Sequence, residues 1–189
     1  MEMKTFYEFL RQLSPLSDEF VAYLEASISV QQYMKGERLV GQTQITHKTW
    51  FVYSGLLKSC YFDQAGRQII NRFYREQELI LINSEDDPDG RSRTREEIIL
   101  LEDCTLFSIN SQQLQYIFEN FDESHRITRR IYLIDSRKKD LRSRLLVMPA
   151  PEAYVEFCRH FPCQRMLLQD IAYYLNIRPY SLSRIRKRK

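Results

Sequence analysis

The stretch FVYSGLLKSCYFDQAGRQIINRF, residues 51–73, decides the fold. It contains most of three runs rich in β-branched and aromatic residues: TWFVYS (49–54), LLKSCYF (56–62) and RQIINRFY (67–74). Ser54-Gly55 separates the first two, and DQAG (63–66) separates the last two, so each gap holds a glycine where a tight turn needs positive φ. The reading is antiparallel strands joined by hairpins.

The same pattern repeats on both sides. SISVQQY (27–33), ELILI (78–82), EEIILLE (96–102) and CTLFSI (104–109) have strand composition, and KGE (35–37) supplies another glycine turn. Seven closely spaced strands predict an antiparallel roll. Ahead of them, TFYEFLRQL (5–13) and SDEFVAYLEAS (17–27) carry apolar residues at helical spacing, with Ser17 as N-cap. The acidic stretch 83–95 reads as a solvated, mobile loop.

From residue 111 the period becomes helical. SQQLQYIFEN (111–120) suits a short helix capped by Ser111, and 122–147 contains no Pro or Gly and so can run as one long helix. Along it Ile127, Ile131, Ile134, Lys138, Leu141 and Leu145 recur at heptad spacing. That seam predicts pairing with a second copy; the alternative is a stripe that covers the chain's own β domain. MPAP (148–151) ends the helix. The expected organisation is therefore a β-roll at 1–120, a dimerisation helix at 121–147 and a helical domain at 148–189.

Composition excludes several classes. With 43% hydrophobic and 28% charged residues among 189, the chain is an ordinary globular protein. It has no apolar run of membrane-spanning length and no signal peptide, which places it in the cytoplasm with no membrane partner. Cys60, Cys104, Cys158 and Cys163 form no C-x-x-C and have no suitably spaced histidine, so free thiols, no metal and no cofactor are expected. Only His47, His125 and His160 could serve acid–base chemistry, and no nucleophile elbow or phosphate loop occurs; the chain does not read as an enzyme. Charge is uneven: residues 1–119 hold 12 basic against 18 acidic residues, a net of −6, and residues 120–189 hold 16 against 7, a net of +9. One part of the chain faces a polyanion.

The charge is densest at the end of LLQDIAYYLNIRPYSLSRIRKRK (167–189), where five of the last six residues are basic. Ile171, Leu175, Ile177, Leu182 and Ile185 fall where two helices crossing near a right angle need apolar residues, and small Ala172 lies where their backbones approach. Asn176 suits a left-handed turn, and Pro179 suits the first turn of the second helix. On that helix Tyr180, Ser181, Ser183, Arg184, Lys187 and Arg188 are left to face double-stranded DNA, with Arg184 placed for a bidentate contact to guanine. Residues 186–189 add sequence-independent phosphate attraction. The plainer alternative is a helical hairpin with a solvated basic tail.

Taken together, KGERLVGQTQ (35–44), the stretch 51–73 and LLQDIAYYLNIRPYSLSRIRK resemble the cyclic-AMP receptor/fumarate-nitrate reductase regulator (Crp/Fnr) family of bacterial transcription factors over nearly the whole chain. The resemblance implies an α+β protein: an N-terminal antiparallel, jelly-roll-like β-roll with flanking helices, a long dimerisation helix, and a C-terminal helix-turn-helix without a full wing. It also implies a homodimer on a two-fold-related DNA site, with Ile127, Ile131, Ile134, Leu141 and Leu145 at the dimer seam. Where nucleotide-binding members carry Gly-Glu, this chain has Leu81-Ile82. Arg93-Thr94 match the family's phosphate-binding pair, but Arg95 replaces its small alanine. The effector pocket, if formed by Arg93, Thr94 and Ile82, is therefore expected to reject standard cAMP and to serve an unidentified small molecule or none. The rival reading is a ligand-sensing β-roll that acts through protein contacts.

Overall fold

A computed structural model describes residues 2–41, 48–80, 85–86, 92–93 and 96–187. The elements are α1 (Glu2–Leu13), α2 (Asp18–Ser27), β1 (Ser29–Tyr33), β2 (Arg38–Val40), β3 (Lys48–Ser54), β4 (Leu57–Phe62), β5 (Gln68–Tyr74) and β6 (Glu78–Ile80). They continue with β7 (Glu85–Asp86), β8 (Ser92–Arg93), β9 (Glu97–Leu100), β10 (Cys104–Asn110), α3 (Ser111–Asn120), α4 (Glu123–Val147), α5 (Ala150–His160), a 3₁₀ turn (Cys163–Arg165), α6 (Leu168–Tyr174) and α7 (Pro179–Lys187). Residues 1–59 with 73–134 form one compact unit, and 60–72 with 135–189 form a second.

Two four-stranded sheets, ordered β1-β10-β3-β6 and β2-β9-β4-β5, make the expected antiparallel roll. Alternation along β3 and β10 sorts the first unit's core into two layers. Trp50, Val52 and Leu106 join Val40, Leu57, Tyr74, Ile80, Ile98, Leu100 and Cys104 inside the roll. Phe51 and Phe107, which pair across the two strands, point the other way, into a cluster with Phe6, Tyr7 and Leu10 of α1, Phe20 and Leu24 of α2, Ile117 of α3 and Ile127 of α4. Phe6 meets Phe51 edge-on at 4.9 Å, a geometry that aromatic quadrupoles favour.

Gly55 shows why the hairpin reading works. Its φ is +117°, and a Cβ there would lie 2.3 Å from the sulfur of Cys104, so only glycine allows β10 to approach. The other predicted turn glycine of this stretch, Gly66, also has positive φ, +72°.

Four expectations need correction. Asn110, not Ser111, caps α3: its side-chain oxygen accepts from the Gln113 N–H at 2.8 Å, and Gln113 accepts from the Asn110 N–H at 3.0 Å, a reciprocal capping box. Within 83–95, β7 and β8 pair antiparallel, Glu85 opposite Arg93 and Asp86 opposite Ser92, so part of the expected loop is a short hairpin. Cys158 and Cys163 are disulfide-bonded, because the chain reverses through Phe161-Pro162 and brings Cys163 back beside the last turn of α5; only Cys60 and Cys104 are free thiols.

The fourth correction concerns the seam on α4. Ile127 belongs to the core beneath α1 and α2, and half-buried Ile131 packs against it. Leu141 and Leu145 are buried too, and among the five predicted seam residues Ile134 alone is exposed. The heptad-spaced stripe therefore mainly covers the chain's own interior, since Ile127, Leu141 and Leu145 keep no surface for a second helix.

In the second unit, Arg72 forms a buried ion pair with Asp135, whose other oxygen accepts from Lys139 at 3.1 Å. Arg142 donates to the Ile70 carbonyl at 3.1 Å, and its guanidinium lies 5.3 Å from the centre of the Tyr174 ring.

Candidate nucleic-acid interface

The candidate site rests on α6 and α7, which an aromatic core holds from below. Phe157 has no exposed surface; it stacks on Phe161 at 4.5 Å and meets Tyr174 at 5.3 Å, so α5 fixes α6 in place. Ala172 is fully buried and Ile171 and Leu175 nearly so, as their spacing predicts. The Ile177 N–H donates to the Ala172 carbonyl at 2.8 Å across the turn. Asn176 takes the left-handed conformation, φ +54°, which asparagine tolerates better than most residues.

Pro179 begins α7, where its missing N–H has no partner to lose. Leu182 is fully buried and anchors the helix, while Ile185 is half-buried. The opposite face carries Tyr180, 73% exposed, together with exposed Ser181, Arg184 and Lys187; Ser183 is half-buried. Arg188 lies outside the described residues. The Arg184 guanidinium is 6.0 Å from the Tyr180 ring centre, one helical turn away, and this contact limits the rotamers of both.

One exposed cation was missed in the sequence, Arg178 in the turn before α7; Arg186, expected to attract phosphate, is exposed on α7. The signal was present, because no carboxylate follows Asp170 while Arg178, Arg184, Arg186, Lys187, Arg188 and Lys189 do. Such a surface can attract phosphates from a distance and offer a planar guanidinium and hydroxyls to base edges.

The other predicted sites are less complete. Ile82 and Thr94 lie outside the described residues, as do Leu81 and Arg95, and Arg93 is placed only as backbone in β8. Among the described residues no cluster of His, Cys, Asp or Glu could hold a metal ion, and no helix is long and apolar enough to cross a membrane. Burial pushes the Cys104 thiol up to about 11, so it is chemically inert at neutral pH. On α4, Tyr132 and Leu133 are exposed beside Ile134.

No protein-family model and no curated protein matches the chain. Solved structures do. FixK2 from Bradyrhizobium japonicum superposes with a TM-score of 0.74 at 17% identity, over 85% of this chain and 83% of that one. CLP, the c-di-GMP-responsive global regulator of Xanthomonas campestris, gives 0.68 at 15% identity over 89% of both chains. A regulator assigned to the Crp/Fnr family from Eubacterium rectale gives 0.69 at 12% identity, over 91% of this chain and 82% of that one. The chain thus has the fold of the Crp/Fnr regulators, an antiparallel β-roll followed by a helix-turn-helix.

Proposed function

We propose that the protein is a homodimeric, sequence-specific DNA-binding transcriptional regulator. One observation carries this reading: α7 is anchored by fully buried Leu182 and presents Tyr180, Ser181, Arg184 and Lys187 to solvent, without a carboxylate on the helix. Tyr180, Ser181, Ser183 and Arg184 near its N-terminal half would read bases or bond phosphates, and Arg178, Arg186, Lys187 and Arg188 would bind the backbone.

Dimerisation would use the strip Tyr132, Leu133 and Ile134, the apolar surface that α4 leaves exposed in its middle. The two reading heads would then lie about one helical turn of DNA apart, roughly 34 Å. The sequence supports a degenerate effector site: Leu81-Ile82 stand where nucleotide-binding relatives carry Gly-Glu, and Arg95 stands in place of their small alanine.

Fluorescence anisotropy with labelled duplexes tests the reading. The full chain should bind DNA with a steep salt dependence, and replacing Arg184 and Lys187 together by Ala should weaken binding at least about tenfold and reduce the salt slope by about 2. Unchanged affinity in that variant would remove α7 as the reading helix and turn attention to a protein partner.

A further inference from the structure

We infer that Cys158 and Cys163 are a reversible thiol–disulfide site built into the joint between α5 and α6. Backbone and ring contacts besides the bond also hold the two cysteines near each other. The Phe161 N–H closes α5 on the Phe157 carbonyl at 2.9 Å, the Cys163 N–H donates to the Phe161 carbonyl at 2.8 Å, and the Phe157–Phe161 stack holds the reversal. The Cα atoms are 5.4 Å apart, within the range a disulfide spans. These contacts keep the two cysteines close when the bond opens, so that it can re-form.

Access and chemistry agree. Both cysteines are half-buried, unlike Cys60 and Cys104, which are fully enclosed. Arg159 and His160 flank Cys158 but share the Glu156 carboxylate, at 2.7 and 3.0 Å, and Arg165 lies two residues after Cys163, so cationic groups border the pair without enclosing it. A hydroperoxide is the oxidant class. One thiolate attacks the peroxide oxygen, giving a sulfenic acid and water (or an alcohol); the second thiol displaces the sulfenic oxygen as water and closes the S–S bond. Two thiols thus lose two electrons and two protons. A small dithiol reverses the step by exchange.

The bond ties the last turn of α5 to the 3₁₀ turn that leads into α6, whose N-cap Leu167 makes no side-chain cap hydrogen bond. Closing it restrains the entry to the helix-turn-helix; opening it lets that entry fray. This consequence rests on the DNA-reading role of α7, whereas the redox site itself does not.

The test equilibrates the full chain in glutathione buffers from fully reduced to fully oxidised, quenches with acid, labels free thiols with N-ethylmaleimide in denaturant and maps them by mass spectrometry. The expected result is joint loss of two labels, at Cys158 and Cys163, across the titration, with Cys60 and Cys104 labelled throughout. Labelling of all four even in oxidised glutathione alone overturns the site. So does a bridge that survives millimolar dithiothreitol under native conditions, or glutathione captured on a single cysteine.

Anisotropy on the same samples reads the consequence: the oxidised form should bind DNA about three- to tenfold more tightly than the reduced form, and the C158S/C163S variant should match the reduced form. Equal affinity of the two forms overturns the coupling. If neither form binds DNA, the reading of α7 fails, and the thiol map still decides the redox site.

Discussion

The carboxylate of Glu123, the first residue of α4, accepts hydrogen bonds from both the N–H and the hydroxyl of Ser17, at 3.1 and 2.6 Å, across 106 residues of chain. Ser17 at the same time caps α2, its hydroxyl oxygen accepting from the Phe20 N–H at 3.2 Å. One hydroxyl therefore serves as donor to one helix start and acceptor for another. Ser17→Ala should destabilise the protein by about 2 kcal/mol, read as a lower urea midpoint with unchanged slope.

The same pair makes a pH prediction. Burial pushes the Glu123 carboxyl up, but the Ser17 hydroxyl, backbone N–H groups and the charge of Arg126 together outweigh it, and the group sits below its ordinary value. A depressed folded pKa stabilises the native state above the unfolded value, about 4.3, and that contribution disappears as pH falls through the folded value. Urea midpoints should fall on acidification below pH 5, and Glu123→Gln should lose less over the same interval than the natural chain.

Gly55 and Gly66 both have positive φ, yet their surroundings differ. An added Cβ at Gly55 meets Cys104, whereas at Gly66 nothing lies within 4 Å. Gly66→Ala should cost about 1 kcal/mol from backbone strain alone, and Gly55→Ala about 3 kcal/mol or more, because β10 must also shift. Thermal denaturation of the two variants side by side checks the order.

Arg72 and Asp135 are both about nine-tenths buried as side chains, and removing one leaves the other charged in a poor dielectric. Asp135→Asn should cost about 3 kcal/mol, while the double replacement Arg72→Met with Asp135→Leu should recover most of that loss. Urea unfolding of the two variants beside the natural chain measures the difference.

The exposed strip on α4 predicts an association defect. Leu133→Arg should convert the proposed dimer into a monomer at micromolar concentration in light scattering, with thermal stability of the monomer little changed because Leu133 is already exposed. A natural chain that is monomeric under the same conditions would refute the dimer outright.

Turns and helix-crossing residues were legible because each depends on local chemistry. Gly55, Asn176 and Pro179 sit where only a few residue types satisfy the backbone, so their identity already carries the geometry. The heptad seam misled for the opposite reason. Spacing says which residues share a helix face but not what that face meets, and Ile127 packs among Phe6, Phe20 and Phe107, residues remote in sequence. The Cys158–Cys163 bond was missed because a five-residue separation fits a disulfide only when a helix ends between the two cysteines. Strand β2, with three residues, is too short to show a period.

Ala172 has a wider consequence. Its side chain has no exposed surface, and its carbonyl is the acceptor that holds the turn, so one position fixes the spacing of α6 and α7 by both volume and hydrogen bonding. In a saturation-mutagenesis map, tolerance should collapse to glycine and serine at 172 while neighbouring Tyr173, half-exposed, accepts many residues. The specificity of such a regulator can then drift freely through the outward face of α7 over generations, while this buried methyl group stays the invariant against which that drift is measured.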